Sequence, residues 1–261
     1  VVLSKLKTLF GASAAAQAAS AVLPDGERVY AIGDIHGRFD LLTDLLARID
    51  ADDAARRNAQ TRIIFLGDLV DRGPDSASVV ELLATADFGD RKVDFLLGNH
   101  EEVFLKALGG NLETMRFWLR IGGEETLLSY GTPIELIDRG LADELVEDFL
   151  PRVPSHHIAF LHKMTDMVRI GDYCFVHAGV KPHVALDRQK PEDLRWIREQ
   201  FLNFEGGFGA TVVHGHSIAA QVEELPNRIG IDTGAYATGR LTALALEGSE
   251  RWYLATEGEG G

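Results

Sequence analysis

A chain of 261 residues, 46% hydrophobic and 25% charged, has the size and composition of one large globular domain with at most a short appendage. Its formal net charge of −14 argues against a nucleic-acid backbone as partner, because such binders present basic surface. No apolar run reaches the ~18 residues that a membrane span requires, and the single cysteine, Cys174, excludes an intramolecular disulfide and points to a reducing, cytoplasmic setting.

Residues 1–27 read as an N-terminal arm: Val1 to Phe10 is basic and weakly amphipathic, and Gly11 to Ser20 is mostly Ala, Ser and Gln. No clean apolar stretch follows its lysines, so a signal peptide is not expected. The main domain is placed at 28–256, with a C-terminal tail at 257–261. Five segments then share one design, a short apolar run rich in β-branched or aromatic residues that stops abruptly at a polar cluster. They are Arg28 to Ile32 before GDIHG, Arg62 to Leu66 before GDLVDRG, Val93 to Leu97 before GNHE, Tyr173 to Val176 before HAG, and Thr211 to Val213 before HGHS. Such runs predict buried strands. Helical spacing over Phe39 to Ile49 and Ser76 to Leu83 separates the first three, which is the βαβ pattern of an α/β fold. Residues 101–165 predict a helical insertion, with helices at Glu102 to Leu108, Thr114 to Arg120 and Ala142 to Leu150. Gly109-Gly110, Gly122-Gly123 and Pro151 to Pro154 break it. Leu241 to Leu246 and Arg251 to Leu254 predict two further strands.

In α/β sheets, ligand-binding residues sit just past the carboxyl ends of strands. All five polar clusters fall there, and together they offer carboxylates, imidazoles and an amide: Asp34 and His36, Asp68, Asn99 with His100, His177, and His216. Oxygen and nitrogen donors without thiolate suit divalent ions such as Mn, Fe or Zn. Any one Asp-x-His is common by chance, but five ordered clusters at five strand ends are not. Metal at this point would also reverse the local sign of a strongly acidic chain.

GDIHGR, GDLVDRGPDS, GNHE, HAG and GHS together resemble the calcineurin-like metallophosphoesterases, and among them the bacterial and phage relatives of the phosphoprotein phosphatases. The resemblance runs from about Arg28 to Leu246. It implies an α/β/β/α sandwich, two mixed sheets flanked by helices in four layers. It also implies two divalent cations, manganese first and iron or zinc as alternatives. Asp34 and His36 would hold one, Asn99, His177 and His216 the other, and Asp68 both, with His214 the lesser candidate beside His216. A hydroxide shared by the two ions would attack phosphorus. Arg72 and Arg198 would clamp the phosphoryl oxygens through their planar forks, Arg195 being the competitor of Arg198. His100 would protonate the leaving group, and Asp71 would hold its other ring nitrogen. Asp232-Thr233-Gly234 is expected to support the site without reacting.

The implied reaction is hydrolysis of phosphate monoesters, in phosphoserine, phosphothreonine or phosphotyrosine of a protein or in small esters. The alternative is a bis(5'-nucleosyl)-tetraphosphatase type of dinucleoside polyphosphate hydrolase. That branch typically carries Ala in place of Asp71 and GNHD in place of GNHE, so Asp71 and Glu101 favour the phosphatase branch. A non-catalytic binding module is a remote third reading, since every expected site position is filled.

Overall fold

The computed structural model describes residues 21–258; the expectations for residues 1–20 and 259–261 lie outside them. Among the described residues, ten strands form two five-stranded sheets. The first contains β1 (Glu27–Ile32), β2 (Gln60–Phe65), β3 (Lys92–Phe95), β9 (Thr242–Glu247) and β10 (Glu250–Ala255), in the order β10-β9-β1-β2-β3. The second contains β4 (Met167–Ile170), β5 (Tyr173–Val176), β6 (Thr211–His214), β7 (Glu223–Leu225) and β8 (Arg228–Gly230), in the order β4-β5-β6-β8-β7. Strands β1, β2 and β3 are parallel, as are β5, β6 and β8, while β9, β10, β4 and β7 run antiparallel to their neighbours.

Strand alternation sorts the side chains into layers. Along β1, Val29 and Ala31 join Ile64, Leu66, Phe175, Val213 and Leu244 in a core between the two sheets. Tyr30 and Ile32 point the other way, into a core shared with α1 (Phe39–Ala54), α2 (Ser76–Thr85) and α3 (Asn99–Leu108). On the far face of the second sheet, Cys174, Val176 and Val212 pack with Leu194 of α9 (Pro191–Trp196) and Phe201 of α10 (Glu199–Leu202). Helices, sheet, sheet and helices make the four layers that the resemblance implies. Cys174 is a fully buried packing residue, and burial pushes its thiol up to about 12.

Between β3 and β4 the chain is helical: α3, α4 (Leu112–Trp118), α5 (Glu124–Ser129), α6 (Ile134–Arg139), α7 (Ala142–Phe149) and α8 (Ser155–Leu161). Gly122-Gly123 interrupts the helical series as expected. Leu119–Gly123 is a wide π-turn joining α4 to α5, with Gly122 at φ 110° absorbing the kink. The three helices read from sequence are therefore part of a longer series, because α6 and α8 are too short to show a period. Strands β4, β7 and β8 end at none of the five polar clusters that mark the equally short β3, β5 and β6, so the sequence does not single them out.

Candidate active site

The five polar clusters occupy the loops that leave β1, β2, β3, β5 and β6 at their carboxyl ends. Hydrogen bonds between these loops bring the two sheets to one point. His177 Nδ1 donates to the Leu66 carbonyl at 2.8 Å, and His216 N donates to Asp34 Oδ2 at 2.9 Å. Asp34, His36, Asp68, Asp71, Asn99, His100, His177 and His216 are all buried.

The loops adopt costly backbone. Of the six non-glycine residues with positive φ among the described residues, five belong to the site: His36 at 46°, Asp68 at 49°, Asp71 at 75°, Arg72 at 68° and His216 at 62°. Left-handed conformations at such residues persist only where the surroundings dictate them. Glycines let the loops close: a Cβ on Gly98 would lie 2.2 Å from Asp68 Oδ1, and one on Gly215 would lie 1.9 Å from Asp34 Oδ1. Glu101 fixes the Asp68 loop from behind. Its carboxylate accepts the backbone N–H groups of Asp68, Leu69, Val70 and Gly98 at 2.7–3.2 Å. Burial and the neighbouring Asp68 push Glu101 up to about 7, while these donors favour its charged form.

Two groups of metal-ligating side chains share Asp68: His36, Asp68 and His100 form one, and Asp68, His177 and His216 the other, with the ligating atoms of each within 4.8 Å of one another. His36 Nε2 is 3.6 Å and His100 Nε2 3.9 Å from Asp68 Oδ2, and His177 Nε2 is 3.3 Å from Asp68 Oδ1. Asn99 Oδ1 and His216 Nδ1 lie 3.0 and 3.2 Å from the same His177 nitrogen. The far nitrogens of His36 and His177 face the carbonyls of Val70 and Leu66, so their Nε2 lone pairs point inward. Asp34 belongs to neither group. Its Oδ2 accepts from His216 N, and its buried Oδ1 has no hydrogen-bond partner among the described residues.

The electrostatics are those of a donor set. Burial lowers the imidazoles, His36 to about 3 and His216 to about 2, which leaves them neutral and basic at the nitrogen. Asp34 is pushed well above the carboxylate range by burial, then by Asp232 and Asp68, and Asp232 is raised to about 6 by burial. For Asp68, burial raises and the surrounding histidines lower; the histidines win, and it stays ionised. Carboxylates gathered out of water with neutral imidazoles are what a divalent cation would neutralise. The side chains present fit that role.

His100 Nδ1 lies 2.6 Å from Asp71 Oδ2. Burial opposes charge on the imidazole, but Asp68 and Asp71 outweigh it, and burial raises Asp71 against the pull of His100. The pair thus retains a proton. Trp118 Nε1 donates to both Asp71 oxygens at 2.8–2.9 Å, and Thr126 Oγ1 donates to Asp71 Oδ1 at 2.7 Å. The π-turn also reaches the site, its Gly122 carbonyl accepting from Arg72 N at 2.9 Å. The insertion is therefore built into the site through Trp118, Thr126 and Gly122, contacts that sequence reasoning missed. Trp118 and Thr126 read as ordinary helix residues, and nothing local marks their distant partner. Tyr236 was also missed: its ring meets His36 edge to face at 5.5 Å and lies 5.0 Å beneath the Arg72 guanidinium.

The Arg72 guanidinium donates to His36 Nε2 at 3.0 Å and lies 3.0 Å from His100 Nε2. Arg198 is exposed at the start of α10, close enough for its charge to lower His177, His216 and Asp232. Arg195 instead pairs with Asp166 at 2.6 Å and Glu102 at 3.3 Å. His214 faces away from the donors: its Nδ1 meets the Gly215 carbonyl at 3.0 Å and its ring packs on Phe201. Asp232 follows β8 and closes a turn through Gly234 N at 2.9 Å.

A binuclear-type donor set across two sheets defines a metallophosphoesterase-type hydrolase. The calcineurin-like phosphoesterase model matches residues 27–227, and the chain belongs to that family. It is 28% identical over 224 residues to serine/threonine-protein phosphatase 1 of Salmonella typhimurium, covering 84% of this chain and 92% of the relative. It is 27% identical over 233 residues to the asymmetrical bis(5'-nucleosyl)-tetraphosphatase PrpE of Anoxybacillus flavithermus, covering 82% and 88%. Among solved structures, it matches a protein described only provisionally as a diadenosine tetraphosphatase. The TM-score is 0.62 at 23% identity, covering 92% of this chain and all of that one. A cold-active protein-tyrosine phosphatase of Shewanella sp. matches with a TM-score of 0.54 at 18% identity, covering 90% and 83%. These two likenesses are of fold.

Proposed function

We propose that the chain hydrolyses phosphoric esters or anhydrides at a binuclear divalent-metal centre in which Asp68 serves both ions. The observation that carries this is the placement of Asp68 in both ligating groups, with His36 on one oxygen and His177 on the other. Asp34 and His36 complete one side, and Asn99, His177 and His216 the other. When bound, such a pair of cations supplies hydroxide near neutral pH and neutralises charge on the phosphoryl group.

The remaining roles belong to the chain itself. Arg72 and Arg198 bind phosphoryl oxygens in bidentate fashion and orient phosphorus in line with the leaving oxygen. His36 Nε2 cannot serve Arg72 and a metal together, so loading the site turns the guanidinium toward substrate. His100 donates its proton to the leaving oxygen, while Asp71, clamped by Trp118 and Thr126, keeps the imidazole oriented.

For the substrate, the relatives favour dinucleoside polyphosphates over the phosphoprotein reading. Bis(5'-nucleosyl)-tetraphosphatases include asymmetrical forms matched across 82% of this chain and symmetrical forms, of which the match spans about half. Glu101 does not separate the branches, because its carboxylate is occupied by backbone of the Asp68 loop. The His100–Asp71 pair supports the second reading, a phosphomonoesterase, because alkoxide leaving groups need a proton far more than nucleotide phosphates do. The test is hydrolysis by metal-stripped protein refilled with Mn, on diadenosine tetraphosphate, a phosphoserine peptide and a phosphotyrosine peptide in parallel. Preferred cleavage of the dinucleotide upholds the first substrate reading, and preferred peptide turnover replaces it with the second. Failure on all three overturns the proposed reaction.

A further inference from the structure

Outside the two groups that share Asp68, a third set of ligating side chains converges. Glu81 projects from α2, and His156 and His157 from α8. Nε2 of His156 and Nε2 of His157 lie 2.7 and 2.6 Å from the same oxygen, Glu81 Oε2. The three ligating atoms fall within 4.8 Å of one another. Consecutive residues of a helix project roughly 100° apart, so helix geometry alone does not aim both rings at one atom. Here the rings meet edge to face, with centroids 4.5 Å apart.

The surroundings suit a cation. His157 is only 3% exposed, and its Nδ1 lies 2.8 Å from the Tyr130 hydroxyl. Metal-binding histidines are held in this way, the far nitrogen engaged so that the near one presents its lone pair. A phenol hydroxyl can donate or accept, so Tyr130 accommodates either tautomer. Glu81 and His156 are 52% and 51% exposed, which opens the remaining side to water and to an entering ion.

We propose that Glu81, His156 and His157 form a third cation site, separate from the Asp68 centre, that takes a zinc-type divalent ion. Two imidazole nitrogens and one carboxylate oxygen match that class better than magnesium or calcium, and water completes the sphere. Each imidazole binds as its Nδ1–H tautomer, that of His157 donating to Tyr130. The present N···O separations must widen to roughly 3.3 Å, the edge of a tetrahedron with ~2.0–2.1 Å bonds; half-exposed Glu81 is free to make that movement. The ion would fasten α8 to α2, whose first residue, Ser76, accepts from Asp71 N.

The test counts zinc per chain and follows the thermal midpoint of full-length protein stripped with chelator and reloaded. The parent is expected to bind three equivalents, and His156→Ala and Glu81→Gln two each, with hydrolysis unchanged. Asp68→Asn should retain one equivalent and still gain thermal stability from zinc. Adding His156→Ala and Glu81→Gln to it should abolish both. Tyr130→Phe should keep the count and weaken affinity ~10–100-fold. Equal zinc counts with and without His156 and Glu81 would overturn the proposal. So would a folded Asp68→Asn chain that binds no zinc. Should Asp68→Asn fail to fold, the parent against His156→Ala decides.

Discussion

Nδ1 of His100 stands 2.6 Å from Oδ2 of Asp71, and both side chains lie out of water between the Asp68 loop and the helical insertion. In the proposed reaction this contact leaves Nε2 as the ring nitrogen from which His100 would deliver a proton. His100→Asn should reduce turnover of alkyl phosphates by roughly two to four orders of magnitude. The loss should be smaller on aryl phosphates and polyphosphate anhydrides, whose leaving groups need little protonation. Steady-state rates on a leaving-group series check this; an equal loss across the series would remove His100 from the acid role.

Trp118 is the long-range counterpart of that contact. Trp118→Phe keeps an aromatic ring against the tilted rings of Phe104 and Phe149 but deletes the N–H shared by both Asp71 oxygens. The expected cost is ~1.5–3 kcal/mol of stability, the range for a hydrogen bond to a charged group. Turnover should fall on poor leaving groups while metal content holds. Denaturant melts with metal analysis on the same samples test it. Loss of metal in this variant would show that Trp118 supports the ion site and not the proton donor.

Gly215→Ala is expected to be far worse than a surface substitution. Its new Cβ would be driven against Asp34 Oδ1, 1.9 Å away, and would push the β6 loop off the β1 loop. Metal content measured after dialysis should drop together with activity. Full metal retention would mean that the two loops approach less closely than described.

A pH effect is expected far from the site. Buried Arg28 pairs with Asp53 at 2.7 Å, and Thr61 donates to the same oxygen. Burial raises Asp53, but Thr61, Arg28 and Arg91 outweigh it and hold the carboxyl below its usual range. A depressed carboxylate contributes stability that is present above the unfolded value of about 3.9 and lost as pH falls through the folded value. Glu247 and the Arg57 carbonyl still hold the Arg28 guanidinium, so Asp53→Asn should cost ~1–2 kcal/mol at neutral pH, and the gap to the parent should narrow below about pH 4. Thermal melts from pH 7 to pH 3 decide, and a gap that widens on acidification would contradict the pairing.

The legible parts of the molecule were those written in contiguous sequence. Tyr173–Val176 was read to the residue, and the strands before GDIHG and GDLVDRG to within two, because each is an apolar run stopped by a polar loop. The candidate donors stand out in the sequence because each follows such a run. The resemblance puts Arg198 ahead of Arg195, and the ion pairs of Arg195 with Asp166 and Glu102 are consistent with that order. Trp118, Thr126 and Tyr236 stayed hidden because their roles rest on contacts with residues 47, 55 and 200 positions away in the chain. Gly122 was read as a breaker because glycine lowers helix propensity. The same freedom lets Gly122 take φ 110° between α4 and α5, which turns its carbonyl toward Arg72 N.

The most direct test of the shared-carboxylate centre is Asp68→Asn, assayed for bound manganese and for hydrolysis alongside the parent. The account predicts that the variant binds two equivalents fewer than the parent and that turnover falls to background. A variant that retains both ions at the parental rate would contradict it.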